Sequence, residues 1–308
     1  MIEVRELQKS YGDLIAVDHV SFSARAGTVF GLLGPSGACK STTINCLSGL
    51  LKPTAGSVSV GGFDLASDAV KAKASLGIVP QELAIYEDLS ARENLAYWGA
   101  AYGLKGDGLK QRVDHILSRI GLADRAGGLP KEYSGGMKRR LNFGCGLVHE
   151  PGVLLLDEPT VGVDPQSREH LFELVREEKA KGTCVLYTTH YMEEAEKLCD
   201  ELAIIDHGKI IASGTLEALR AEFGGNDIIR LSGSFERASI EPVLAELEAE
   251  LLSLTAEDLM ITLRDGARNL PAVLQAIGST GAEIRDTRLS EPNLESLFLK
   301  LTGKDLRA

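Results

Sequence analysis

Apolar positions in this chain come in short unbroken runs separated by segments of helical spacing. VFGLLG (29–34), SLGIVP (75–80), VLLLDEP (153–159), TCVLYTTH (183–190) and LAIIDHG (202–208) are nearly continuous in hydrophobicity. Runs of that length and character are what a strand covered on both faces requires. Residues 1–223 therefore read as an α/β domain with a largely parallel sheet. The opening MIEVRELQKSYG alternates like a further strand. Helical spacing from about Leu83 to Lys131, with Tyr97, Trp98 and Tyr102 within it, predicts an inserted helical subdomain over about 83–150. After AEFGGND the pattern changes, and Gly224-Gly225 is the expected boundary of a small α+β domain over 224–308. There IIRLSG, LMITLRD and AEIRDTRLS read as strands and 240–252, 267–278 and 293–302 as helices, an order that suits a ferredoxin-like sandwich.

Composition narrows the function classes. The formal net charge is -11, which disfavours a polyanion binder, so nucleic acid is not an expected partner. The five cysteines, Cys39, Cys46, Cys145, Cys184 and Cys199, are scattered, with no C-x-x-C pair to suggest zinc or a disulfide framework. A reducing cytoplasm is the expected setting. No stretch approaches the roughly 20 apolar residues of a spanning helix, so any membrane role is expected to come through a partner.

Two segments carry candidate chemistry on their own residues. In GPSGACKST, residues Gly34, Pro35, Ser36, Gly37, Ala38, Cys39, Lys40, Ser41 and Thr42 follow one strand run and precede a helical stretch. A glycine-rich turn feeding a helix offers N–H groups to phosphates, with Lys40 placed for the β- and γ-phosphates of ATP and the Ser41 hydroxyl for Mg²⁺. Cys39 stands where that motif has glycine. If the backbone there keeps positive φ, the side chain costs about 1–2 kcal/mol. The helix N-terminus and Lys40 are expected to lower the thiol pKa. Seven helical residues separate Cys39 from Cys46 by about 10 Å, too far for a disulfide. The second segment, VLLLDEP, ends a strand in two carboxylates: Asp157 is placed to hold Mg²⁺ and Glu158 to take a proton from an attacking water.

A third segment, YSGGMKRRL, brings the argument to a family. With the two segments above, Ser134, Gly135 and Gly136 at the start of a helix resemble the signature sequence of ABC ATPases. The resemblance implies a head-to-tail dimer in which this segment serves the ATP of the other subunit. It further implies that Tyr11 stacks on adenine, that Gln81 senses Mg²⁺ and the attacking water, that Asp164 crosses the dimer interface, and that His190 contacts the γ-phosphate. PNLESLFLKLTGKDLR (292–307) is similar to the C-terminal segment of ATPase subunits of ABC-2 type exporters. The expectation is thus an ATPase using ATP and Mg²⁺, acting as a homodimer or with a related ATPase subunit. It would lie on the inner face of the cell membrane and drive export through an integral membrane permease. Two alternatives remain open at this point: a nucleotide-binding regulatory subunit whose hydrolysis is impaired by Cys39, and an ABC ATPase outside transport.

Overall fold

The computed structural model describes residues 1–221 and 226–302. The chain divides between Ser213 and Gly214 into two compact units. The expected boundary at Gly224-Gly225 lies outside the described residues.

In the first unit β1 (Ile2–Tyr11) and β2 (Leu14–Ala24) pair antiparallel. β3 (Val29–Leu33) then leads into α1 (Lys40–Leu47), followed by β4 (Ala55–Val60), β5 (Phe63–Asp64), α2 (Ala69–Ala74) and β6 (Leu76–Val79). The helical subdomain holds α3 (Ala91–Ala101), α4 (Gly106–Arg119) and α5 (Gly135–Leu147). β7 (Val153–Asp157), α6 (Pro165–Ala180), β8 (Cys184–Thr189), α7 (Met192–Leu198), β9 (Glu201–Asp206) and β10 (Lys209–Thr215) complete it, the last crossing the division.

Six strands form one sheet in the order β10-β9-β3-β8-β7-β6, and each described pairing from β9 to β6 is parallel. All five apolar runs singled out in the sequence are strands of this sheet. The alternation of a strand's side chains divides its two faces. Leu155 and Leu186 pack with Ile2, Val4, Val58 and Leu47 on one side. Leu154, Leu156, Val185 and Tyr187 pack with Phe143, Ile116 and Phe172 on the other. The helical subdomain opens on a capping box, Ser90 with Glu93, which fixes the start of α3.

A second sheet, antiparallel in the order β2-β1-β4-β5, had only its first strand visible in the sequence. Register shifts along β1 and β2, and positive φ at Glu6 and His19, interrupt the alternation that would have marked them.

The second unit begins with α8 (Leu216–Ala221) and continues through β11 (Asn226–Ser234), α9 (Arg237–Glu246), β12 (Glu250–Leu254), β13 (Asp258–Arg264), α10 (Gly266–Gly278), β14 (Glu283–Ser290) and α11 (Leu294–Thr302). The order β12-β13-β11-β14, antiparallel throughout, is the ferredoxin-like arrangement. One expectation is corrected here: the helix read over 240–252 stops at Glu246. Glu248 takes φ 53, Ala249 N–H donates to the Leu244 carbonyl, and Glu250–Leu254 pairs with β13 instead.

Candidate functional site

The loop after β3 is shaped by crowding on one side and by backbone freedom on the other. A Cβ at Gly34 would collide with the Ile205 carbonyl at the end of β9, whereas Gly37 takes φ 83 with open space around it. Cys39 occupies the left-handed region at φ 69 and ψ 25 and starts α1 without a side-chain cap; its thiol donates to the Gly37 carbonyl at 3.4 Å. Burial pushes the Cys39 thiol pKa up, and the opposing effect of Lys40 is the smaller. This corrects the expected lowering, because a thiol losing water costs more as thiolate than the neighbouring ammonium returns.

Lys40 is 4% exposed. Its ammonium donates to the Gly34 carbonyl at 2.8 Å and the Pro35 carbonyl at 3.0 Å, and lies 3.0 Å from Glu158 Oε1. The turn thus wraps around its own cation. The N–H groups of the first helical turn have no intrahelical acceptor and remain for an anion.

Register brings the other groups to Lys40. β8 lies between β3 and β7, with Thr189 level with Leu33 and Thr188 level with Asp157. The Thr188 hydroxyl donates to Asp157 Oδ1 at 2.7 Å and accepts the Glu158 N–H at 3.0 Å. Glu158 itself has φ 44, a left-handed conformation uncommon for such a side chain. Its second carboxylate oxygen lies 3.0 Å from His190 Nδ1. Glu158, 8% exposed, is therefore bracketed by Lys40 and His190.

Ser134, Gly135, Gly136 and Asp164 form a separate group. Ser134 caps α5 by accepting the Met137 N–H at 3.3 Å, and Asp164 caps α6 by accepting the Ser167 N–H at 2.9 Å, which holds its carboxyl below the usual range. A Cβ on Gly136 would collide with Ser167 Oγ and lie 2.8 Å from Asp164 Oδ2. Packing of α5 against α6 thus requires that glycine, whereas Gly135 has only the Gly162 carbonyl at 4.0 Å. Among the described residues, no hydrogen bond or ion pair joins this group to Lys40 or Glu158. Tyr11 is exposed at the end of β1 with the Lys9 ammonium 5.2 Å from its ring centroid, and Gln81 is exposed just beyond β6.

The ABC transporter family profile matches residues 17–161. The chain is 42% identical to the linearmycin resistance ATP-binding protein LnrL of Bacillus subtilis, over 100% of both chains. It is 39% identical to the Nod factor export ATP-binding protein I of Ralstonia nicotianae, over 100% of this chain and 95% of that protein. The dimeric structure of MJ0796, a bacterial ABC transporter cassette, is 25% identical and covers 70% of this chain and 99% of its own, with TM-score 0.65. The chain belongs to the ATP-binding proteins of ABC transporters. This ABC protein is an ATPase, and ATP is its nucleotide.

Among the described residues of the ABC chain, no three His, Cys, Asp or Glu side chains are grouped to hold a metal ion. Mg²⁺ is usually held by one or two oxygen donors together with nucleotide phosphates, and the Asp157 carboxylate and the Ser41 hydroxyl are donors of that kind. The buried ammonium of Lys40 beside the Glu158 carboxylate fits the same polyanion. Also among the described residues, no helix is long and apolar enough to cross a membrane.

Sequence reading missed Arg139 and Asn142 on α5. Arg139, buried, donates to the Gln81 carbonyl at 2.8 Å and the Val161 carbonyl at 3.3 Å. Asn142 accepts the Ala84 N–H at 2.9 Å and donates to the Pro80 carbonyl at 3.3 Å. They pin the Gln81 loop by its backbone. Nothing in the K-R-R run itself sets Arg139 apart from its neighbours, and only the packing of α5 turns it inward. The aromatic cluster also divides: Tyr97 is exposed with Tyr86 edge-on at 4.9 Å, while Trp98 packs against the core.

Proposed function

We propose that the chain hydrolyses ATP to drive export of a substrate through a separate integral membrane permease, at the inner face of the cell membrane. Two copies, or one copy and a related ATPase subunit, close head to tail over two ATP molecules. Export is the work named for the Nod factor relative, which aligns along the whole chain, and a cassette of the same fold is dimeric.

The observation that carries the reading is Glu158 held between Lys40 and His190, apart from the Ser134–Gly136 and Asp164 group. Lys40 exchanges Glu158 for the β- and γ-phosphates, leaving the carboxylate to take a proton from the attacking water. His190 contacts the γ-phosphate. Ser41, Asp157 and Gln81 hold Mg²⁺, which neutralises charge on the phosphates when bound. The backbone of residues 34–42 cradles the phosphates and Tyr11 stacks on adenine. Ser134, Gly135, Gly136 and Asp164 face the nucleotide of the partner copy, a self-complementary use of one surface under two-fold symmetry. Exposed Tyr97 and Tyr102 lie on the face offered to the permease.

The assembled lysine, carboxylate and histidine favour this reading over a regulator disabled at Cys39. Glu158→Gln keeps the shape while removing the base. It is expected to bind MgATP, turn over slowly and run as a dimer in size-exclusion chromatography with light scattering. A persistent monomer at micromolar concentration with MgATP refutes the shared site.

A further inference from the structure

Glu194, in the first turn of α7, is 2% exposed and has no part in the roles above. Three hydroxyls donate to it. Thr160 Oγ1 lies 2.7 and 2.9 Å from its two oxygens, Tyr187 OH 2.9 Å and Thr189 Oγ1 3.0 Å away. Burial, and then Glu194 itself, push the Tyr187 phenol pKa up, so it stays a donor. Arg168 on α6 adds charge, with Nε 3.7 Å from the carboxylate and its guanidinium 5.6 Å from the Tyr191 ring centroid.

The two segments tied to Glu194 are those that carry the hydrolytic pair. Thr160 lies two residues beyond Glu158. Thr189 precedes His190, and its hydroxyl also accepts the Tyr191 N–H at 2.9 Å, so one oxygen grips the chain on both sides of that histidine. Its proton goes to Glu194. An acceptor-only group with two oxygens satisfies all three hydroxyls at once. A glutamine presents one acceptor oxygen and one donor nitrogen, leaving a buried hydroxyl to turn around or go unpaired.

The geometry points to Glu194 as a positioning residue that sets the approach of His190 to Glu158, now 3.0 Å, for ATP hydrolysis. This inference rests on the roles proposed above for Glu158 and His190. Glu194 acts through the backbone of residues 158–160 and 189–191 and touches no reacting atom.

The test uses the full chain and MgATP. Glu194→Gln is expected to keep KM and MgATP-induced dimerisation while kcat falls about tenfold or more, the size of effect typical when the groups that orient metal-binding side chains are removed. Thr189→Val, which cuts the same tether, is expected to fall alike. Thr189→Ser, which keeps the hydroxyl, is expected to be about tenfold faster than Thr189→Val. A kcat for Glu194→Gln within about twofold of the native value overturns the proposal, as does a joint loss of KM, dimerisation and kcat, which marks a general structural role. If Glu194→Gln does not fold, the two Thr189 variants decide on the same terms. His190→Ala separates the two readings: full turnover there overturns the role of His190, whereas an inactive His190→Ala beside a fully active Glu194→Gln overturns this proposal alone.

Discussion

Helices α1 and α5 both begin on glycine-containing turns, yet different forces hold them. The start of α1 has no side-chain cap, and its first residue follows a cysteine in the left-handed region. Beyond the carbonyls of its own turn that Lys40 gathers, what holds it is remote in sequence: the Ile205 carbonyl crowding Gly34, and Glu158 facing Lys40. The start of α5 is capped by its own Ser134, at φ -64 and ψ 160, through the Met137 N–H. One helix start leans on the sheet, whereas the other is capped by its own serine. Damage at α1 is therefore expected to spread into β7 and β8, and damage at α5 to stay local until a second copy is needed.

The largest effect tests the end that leans on the sheet. Lys40→Met leaves Glu158 buried without its ammonium, at a cost of about 3–5 kcal/mol for a broken buried pair. Turnover is expected to fall about 10²–10³-fold with the loss of a charge clamp on phosphate. Denaturant titration and a steady-state ATPase assay read both. Retention of native stability would break the claim that this end depends on the sheet.

At the serine-capped end, two adjacent glycines separate packing from nucleotide use. Gly136→Ala forces a methyl into Ser167 and is expected to destabilise by about 1–3 kcal/mol. Gly135→Ala, in the first position of α5, meets only the Gly162 carbonyl at 4.0 Å, so the monomer is expected to be as stable as the native chain or more so. Its loss should appear only in MgATP-driven dimerisation. Equal melting temperatures for the two variants would refute the packing assignment.

Cys39→Gly removes the left-handed strain of about 1–2 kcal/mol and returns about 0.5–1 kcal/mol as backbone entropy. A net gain of about 1 kcal/mol or less is expected, with tighter ATP binding. Because burial holds the native thiol protonated, maleimide labelling of folded protein at neutral pH should be slower at Cys39 than in urea. Equal labelling rates would reverse that assignment.

The smallest effect lies away from both helix starts. His149 stacks on Tyr102 at 3.5 Å between centroids, and burial first, then Arg112, hold its pKa below 6.5. The unfolded chain therefore takes up the proton first as pH falls, and stability drops below about pH 6.5. His149→Gln is expected to flatten that part of a melting-temperature profile between pH 5.5 and 7.5. An unchanged slope would remove His149 from the pH dependence.

Patterns along the chain were enough to locate the strands of the parallel sheet, the helical insertion, the α+β second unit and the segments holding Lys40, Glu158, Ser134 and His190. Each is a local property: an apolar run suits a covered strand, and glycines before a lysine suit a phosphate turn. What depends on register between distant segments emerged only in the folded chain. Asp157 pairs level with Thr188, some thirty residues on, and only that alignment puts Glu158 beside His190. Arg139 and Glu194 were read past for the same reason, since a charged residue in a polar helix stretch shows its buried role only when its partners arrive from other elements. The bulged antiparallel sheet and the strand hidden in 250–254 also lacked a clean period. Local chemistry is written in the order of residues, whereas the distance between two side chains across a sheet is set by how its strands align.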